Sequence, residues 1–347
     1  MDMATVMAIT MAKEKIKNNK EKYSVIAQQK LCNKQQLCNL VKFIAALLVV
    51  NGHLFLFGNY NGILNAYMDL GACCVSLFFF FSGYGLLSNF KLKGCVYLNS
   101  FFNKRFSKIL IPLLTAYLIS LPIYVLIKGP IDIKLLCETL FWGGPYLRYS
   151  WYVSEILIVY VLFYFAMKQF TTIRMKIMLL SVVIIAFMAI LYVLKQPLWY
   201  LISLPGFILG MWYQYFENLI ITHIKKEYLF VVTIIIGGIW FYTWQWSAFE
   251  HTVLSAFRYT LAAMIISSFL FPILIISIIR VTAFTPPHSL IISSSYEVYL
   301  IQNAAMMLAS VVSVSFVSYW VATMVIVIGL ACVQFRIDRK LMILLKF

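Results

Sequence analysis

The sequence predicts an all-α fold: a polytopic integral membrane helical bundle of about ten transmembrane helices. Three observations carry that expectation. The 347 residues are 63% hydrophobic and only 12% charged, and a soluble domain of this length cannot bury so much apolar surface. The apolar residues gather into ten runs, near 40–58, 72–90, 109–127, 150–167, 176–194, 198–215, 229–246, 255–279, 289–310 and 316–334, each close to the roughly twenty residues that a crossing helix needs. With the N-terminus placed inside, twenty-three of the 28 lysines and arginines fall in inner segments and five in outer ones. That is the positive-inside bias of membrane proteins.

The same distribution accounts for the net charge of +16 and removes the reason to expect nucleic acid. The partner it implies is the lipid bilayer, with the basic tail near anionic headgroups. Residues 1–39 read as a retained cytosolic tail, because the apolar stretch before the lysines is too short to span and no cleavage pattern follows. Residues 40–335 read as the transmembrane domain and 336–347 as a second cytosolic tail. No internal repeat is found. The seven cysteines form no CxxC pair and are expected as thiols, with Cys137 in an outer loop. No metal site is expected: His223, His251 and His288 fall in separate loops. His223 reads as a solvated inner-loop residue, and His251, beside Glu250, as an outer-loop one.

The first run carries the most information. LVKFIAALLVVNGHLFLFG, Leu40 to Gly58, holds Lys42 near one end and Asn51 and His53 within. Eleven residues of helix turn through about 1,100° and rise about 16 Å, so Lys42 and His53 share a face, one near the membrane surface and one near mid-depth. Polar groups in hydrocarbon are costly and usually face protein or a wet cavity. A snorkelling lysine and a histidine bonded to a neighbouring helix satisfy that rule; so does a histidine serving as a general base.

The second run, GACCVSLFFFFSGYGLL, reads as packing. Phe78 to Phe81 need apolar surroundings, and Ser82, Gly83 and Gly85 allow another backbone close. Before the third run, FFNKRFSKILIP places Lys104 and Lys108 on one face with Arg105 adjacent. These are a plain positive-inside flank or a cytosolic phosphate site, where Arg grips with two parallel bonds and Lys acts as a point charge. In the fourth run Trp151 and Tyr152 suit an interfacial aromatic belt, and Glu155, about one turn deeper, is either salt-bridged or at work. The ninth run is unusually polar, with Ser293 to Ser295, Glu297 and Gln302, and reads mainly as hydrogen bonding between helices.

Taken in order, these residues resemble the acyltransferase-3 family of bacterial integral membrane acyltransferases, which includes polysaccharide O-acetylases. The first-span pattern of a basic residue, ten residues and a histidine is met by Lys42 and His53, with lysine where the family usually has arginine. The Phe-rich span ending in Ser-Gly-aromatic is met by Phe78 to Tyr84. The Arg-x-x-Arg-type stretch before a proline is met by Arg105, Lys108 and Pro112, with lysine second. A Trp-aromatic span is met by Trp151 to Tyr160. The late Ser-Tyr-x-x-Tyr-Leu stretch is met by Ser295, Tyr296, Tyr299 and Leu300, but Gln302 stands where a histidine usually follows.

The resemblance implies an acyl group, acetyl by expectation, taken from cytosolic acetyl-CoA or another acyl-CoA. The acceptor is a hydroxyl of a surface polysaccharide or lipid-linked glycan outside a bacterial inner membrane, with both termini cytosolic. His53 is then the general base or acyl carrier, and Glu155 orients or neutralises its imidazolium. Lys42, Lys104, Arg105 and Lys108 meet the CoA phosphates, while Asn51, Trp151, Tyr152 and Tyr296 contact substrate. Two other expectations stand beside this one. Polar residues within spans suit a glycan or small-molecule exporter, and the lysine and Gln302 departures suit a catalytically silent partner in glycan assembly.

Overall fold

The computed structural model describes residues 35–54, 70–140, 142–225, 227–232, 234–235, 237–238, 266–281 and 289–345. His251, His288, Glu250, Arg258, Cys32 and most of the 1–39 tail lie outside them. So do the end of the seventh apolar run and the start of the eighth. Among the described residues every regular element is helical and no strand occurs.

Helix α1 spans Gln35–Leu54. It is followed by α2 (Leu70–Lys93), α3 (Val96–Asn99), α4 (Phe101–Lys128), α5 (Ile133–Thr139), α6 (Trp151–Lys168), α7 (Ile173–Val193), α8 (Leu198–Ile202) and α9 (Pro205–His223). A π-helical turn, Ile266–Leu270, leads into α10 (Phe271–Val281), and α11 (Leu290–Ser293), α12 (Ser295–Val312) and α13 (Phe316–Leu344) complete the order. Among the described residues six helices are long and apolar enough to cross a membrane: α1, α2, α4, α6, α7 and α13. The count of ten is therefore not reached among the described residues. The sixth run divides into α8 and α9 because Pro205 cannot continue a helix but suits the first position of a new one. The ninth divides into α11 and the longer α12.

In lipid no water drives apolar faces together, so helices associate through close packing and interhelical hydrogen bonds. Both devices are present. Helix α9 packs along α2, and a Cβ on Gly210 would run into the Phe80 carbonyl while one on Gly83 would meet that of Phe207. Gly85, expected to share this role, has open space around it. Tyr84 of α2 closes the same contact by donating to the Glu217 carboxylate of α9 at 2.8 and 2.9 Å.

Helix α12 lies between α4 and α13. A buried polar knot ties α4 to α13: Thr115 donates to Asp338 Oδ1 at 2.6 Å, and Gln334 donates to the Pro112 carbonyl at 2.8 Å. Outward residues such as Leu118, Val182, Ile185 and Val325 are apolar and exposed, which is the surface a bilayer covers. The charged and aromatic residues of interest are left to line the spaces between α1, α4, α6 and α12.

Candidate active site

The first turns of α1 and α4 bring Lys42, Arg105 and Lys108 to the mouth of one cavity of about 230 Å³. Arg105 is held: its Nε donates to the Tyr97 hydroxyl at 2.7 Å, and the guanidinium lies 5.5 Å from that ring's centroid. Burial pushes the Tyr97 phenol up, against the opposing pull of Arg105, which keeps it a neutral partner. Lys42 Nζ stands 5.3 Å from the Phe81 ring centroid, an attraction between a cation and a π face. Deeper in, the walls are aromatic: Phe78, Tyr152, Tyr160, Tyr296 and Tyr299, with Ser82 and Ile156 between them. Tyr296 donates to the Ile109 carbonyl at 3.3 Å, pinning α12 to α4.

His53 points into protein, above this cavity. Its Nδ1 lies 2.8 Å from Gln302 Oε1, and its ring stacks on Tyr149 at 3.7 Å with an 11° interplanar angle. The proton can be placed. Gln302 Nε2 donates to the Tyr299 carbonyl at 2.8 Å, and a carbonyl can only accept, so the amide oxygen is the end that faces His53. Nδ1 therefore carries the hydrogen and donates, and Nε2 keeps its lone pair. Tyr299, which lines the cavity, donates its hydroxyl to the Tyr149 carbonyl at 3.0 Å. The cavity lining thus stops one side-chain layer short of His53.

A second cavity, about 590 Å³, opens at the other end of the bundle. It is bounded by Tyr124, Lys128, Gly143 to Pro145, Arg148, Asn303, Met306, Met307, Ser310 and Tyr319. Arg105 and Lys128 stand near opposite ends of α4, roughly 35 Å apart by helical rise. On α12, Tyr299 lines the first cavity and Asn303 the second, and four residues of helix rise only about 6 Å. His53, Gln302 and Tyr149 line neither cavity; their cluster with Tyr299, joined to the first cavity by Tyr299 and to the second through Arg148 next to Tyr149, makes the partition. Burial pushes the Tyr149 phenol up to about 12, so it takes part as a neutral ring.

The expected residues divide accordingly. Lys42, Arg105, Lys108, Tyr152 and Tyr296 come together on one cavity. Lys104 is exposed and outside that lining, although its charge reaches Lys108. Asn51 is engaged, accepting from Trp320 Nε1 at 2.8 Å, and Trp151 is buried against Tyr200, centroids 4.8 Å apart. Glu155 is fully buried, and neither carboxyl oxygen has a hydrogen-bond partner. His53 is oriented by Gln302 rather than by Glu155.

Sequence reasoning singled out neither Tyr149 nor Arg148 and met Tyr299 only as a motif match, but it read Gln302 as a hydrogen-bonding residue between helices, which its bond to His53 on α1 is. Nothing local marks Tyr149; it is one tyrosine among 22. For Gln302 the signal was its place on the polar ninth run.

A family model described as an acyltransferase domain matches residues 38–335. No curated protein and no solved structure matches the chain.

Proposed function

Since the chain belongs to the acyltransferase-3 family, we propose that it is a membrane O-acyltransferase carrying an acetyl group from acetyl-CoA to a glycan hydroxyl across the bundle. The donor sits at the basic end and the acceptor at the opposite end. The observation that carries this reading is the His53 ring at the partition, with Nδ1–H committed to Gln302 and Nε2 left as a base. Positive-inside bias supports a cytosolic basic end, where acyl-CoA is found, and in this reading the surface polysaccharide or lipid-linked glycan lies on the far side of a bacterial inner membrane.

The residues divide the work by chemistry. Arg105 and Lys108, with Lys42 beside them and Lys104 outside, supply point charges and one guanidinium fork for the CoA phosphates. The narrow aromatic throat suits the thin pantetheine arm, which brings the thioester beneath Tyr299. At the partition His53 Nε2 takes the proton of the acceptor hydroxyl as its oxygen attacks the thioester carbonyl. The C–S bond breaks, and the proton returns from His53 to the departing thiolate. Glu155 has two buried oxygens without a partner, an unfavourable state unless another group satisfies them, and it lines neither cavity.

The test is His53→Ala, read as ester content of surface glycan. Loss of esterification in a folded variant is expected, and unchanged esterification removes the reading. Two cavities meeting at a thin partition also suit a transporter. Labelled glycan crossing vesicles that carry the protein, with no need for acyl-CoA, is the result that would favour that alternative.

A further inference from the structure

The buried knot between α4 and α13 holds more oxygen than its own donors satisfy. Thr115 has one hydroxyl proton and gives it to Asp338 Oδ1. Gln334 Nε2 donates to the Pro112 carbonyl at 2.8 Å and lies 3.2 Å from Thr115 Oγ1. A carbonyl only accepts, so the amide nitrogen is fixed on that side and Oε1 is the free end. Thr115 and Gln334 both steady the Asp338 carboxyl. Helix α12 packs against α4 and α13 and brings Glu297 into electrostatic reach of Asp338. Three acceptor atoms are left without a hydrogen-bond partner: Glu297 Oε2, Gln334 Oε1 and Asp338 Oδ2. Their residues are 4%, 0% and 0% exposed, so bulk water does not serve them, and buried polar groups are costly when unpaired. Among the described residues no lysine or arginine acts on either carboxylate, and Arg336, Arg339 and Lys340, beside Asp338 on α13, are exposed. The first turn of α12 favours a carboxylate at Glu297. Asp338 has no such reason to be there. It lies within two turns of the C-terminal end of α13, the end that favours cations, so helix stability does not explain it.

We propose that Glu297, Gln334 and Asp338 bind a calcium ion at the junction of α4, α12 and α13. The donor atoms are all oxygens, the ligand type that hard cations take. Two carboxylates carry two negative charges, which a divalent ion cancels and sodium does not. Magnesium demands near-ideal octahedral geometry and keeps several waters, whereas calcium accepts carboxylate and amide oxygens in flexible sets. The expectation of no metal site rested on histidine and cysteine, and this site uses neither. The ion clamps α12, which carries Tyr296, Tyr299 and Gln302, to both of its neighbours. Its binding chemistry does not depend on the acyltransferase reading.

The experiment uses the full-length protein in nanodiscs of zwitterionic lipid, stripped with chelator and then given calcium, magnesium or sodium at matched ionic strength. Calcium should raise Tm saturably, by roughly 5 °C at about a hundred times its Kd. Magnesium and sodium should do less at the same concentration. Radiolabelled calcium should bind the unaltered protein at about one ion per chain, a readout that needs no variant to fold. Glu297→Gln and Asp338→Asn keep the side-chain shapes, and each should abolish both the Tm shift and the bound label. Glu138→Gln, which removes an exposed carboxylate on α5, should leave both unchanged. A Tm indifferent to calcium, as two protonated acids would give, overturns the proposal. So does an equal or larger response to magnesium or sodium, the absence of bound label, or a calcium response that survives in both site variants.

Discussion

The two cavities are built differently. At the basic end the cations are braced by rings, Arg105 by Tyr97 and Lys42 by Phe81, above a throat of about 230 Å³ walled by aromatics. At the other end the cations are exposed, the walls are methionine, tyrosine and glycine, and the volume is about 590 Å³. A braced fork and a narrow throat suit one rigidly recognised head on a thin arm. A wide mouth with adaptable methionines suits a bulkier and more variable partner. The contrast matches a reaction with a constant donor and a polymeric acceptor.

Variants at the partition should break both sides together and give the largest effects. His53→Ala should lower the transfer rate about 10²- to 10⁴-fold, the usual contribution of a positioned base, with acyl-CoA binding retained; retained activity would separate the histidine from the chemistry. Gln302→Leu should cost about 10- to 100-fold in kcat, because the imidazole loses its oriented hydrogen bond. Gln302→His, which keeps a polar partner at that position, should recover much of the loss, and equal rates in both variants would reduce Gln302 to packing.

Arg105→Lys should act on one side alone. It removes the fork and the Tyr97 bond, raising KM for acyl-CoA roughly tenfold while KM for the acceptor stays put. A rise in both constants would erase the division between the cavities. Gly210→Ala should favour neither side. It pushes the α2–α9 contact apart at Phe80 and should cost about 1–3 kcal/mol of stability, seen as a lower Tm in detergent. Its remaining folded fraction should show unchanged KM values for donor and acceptor alike.

Much of the architecture was legible because helix formation and membrane crossing are local properties. Runs of about twenty apolar residues marked α1, α2, α4, α6, α7 and α13, the six long apolar helices. The runs that broke, at Pro205 and at Ser294, carried turn-forming or polar residues within apolar stretches, and hydropathy averages over such interruptions. Spacing also brought Lys108 and Arg105 to one cavity but could not tell Lys108 from Lys104. They lie one turn apart on the same face and both are exposed, and only the neighbouring helices decide which one lines the cavity.

By itself the sequence determined the helical class, the charge asymmetry between the two ends and the shared face of Lys42 and His53. Each follows from composition or from 3.6-residue periodicity, which acts within a single helix. Only the tertiary structure decided what that face meets. Gln302, 249 positions away, comes within 2.8 Å of His53, and the Tyr149 ring stacks on it at 3.7 Å. The periodicity of a helix says which side chains point together, but the partner across the gap depends on packing among helices far apart in the chain, and no local pattern encodes that.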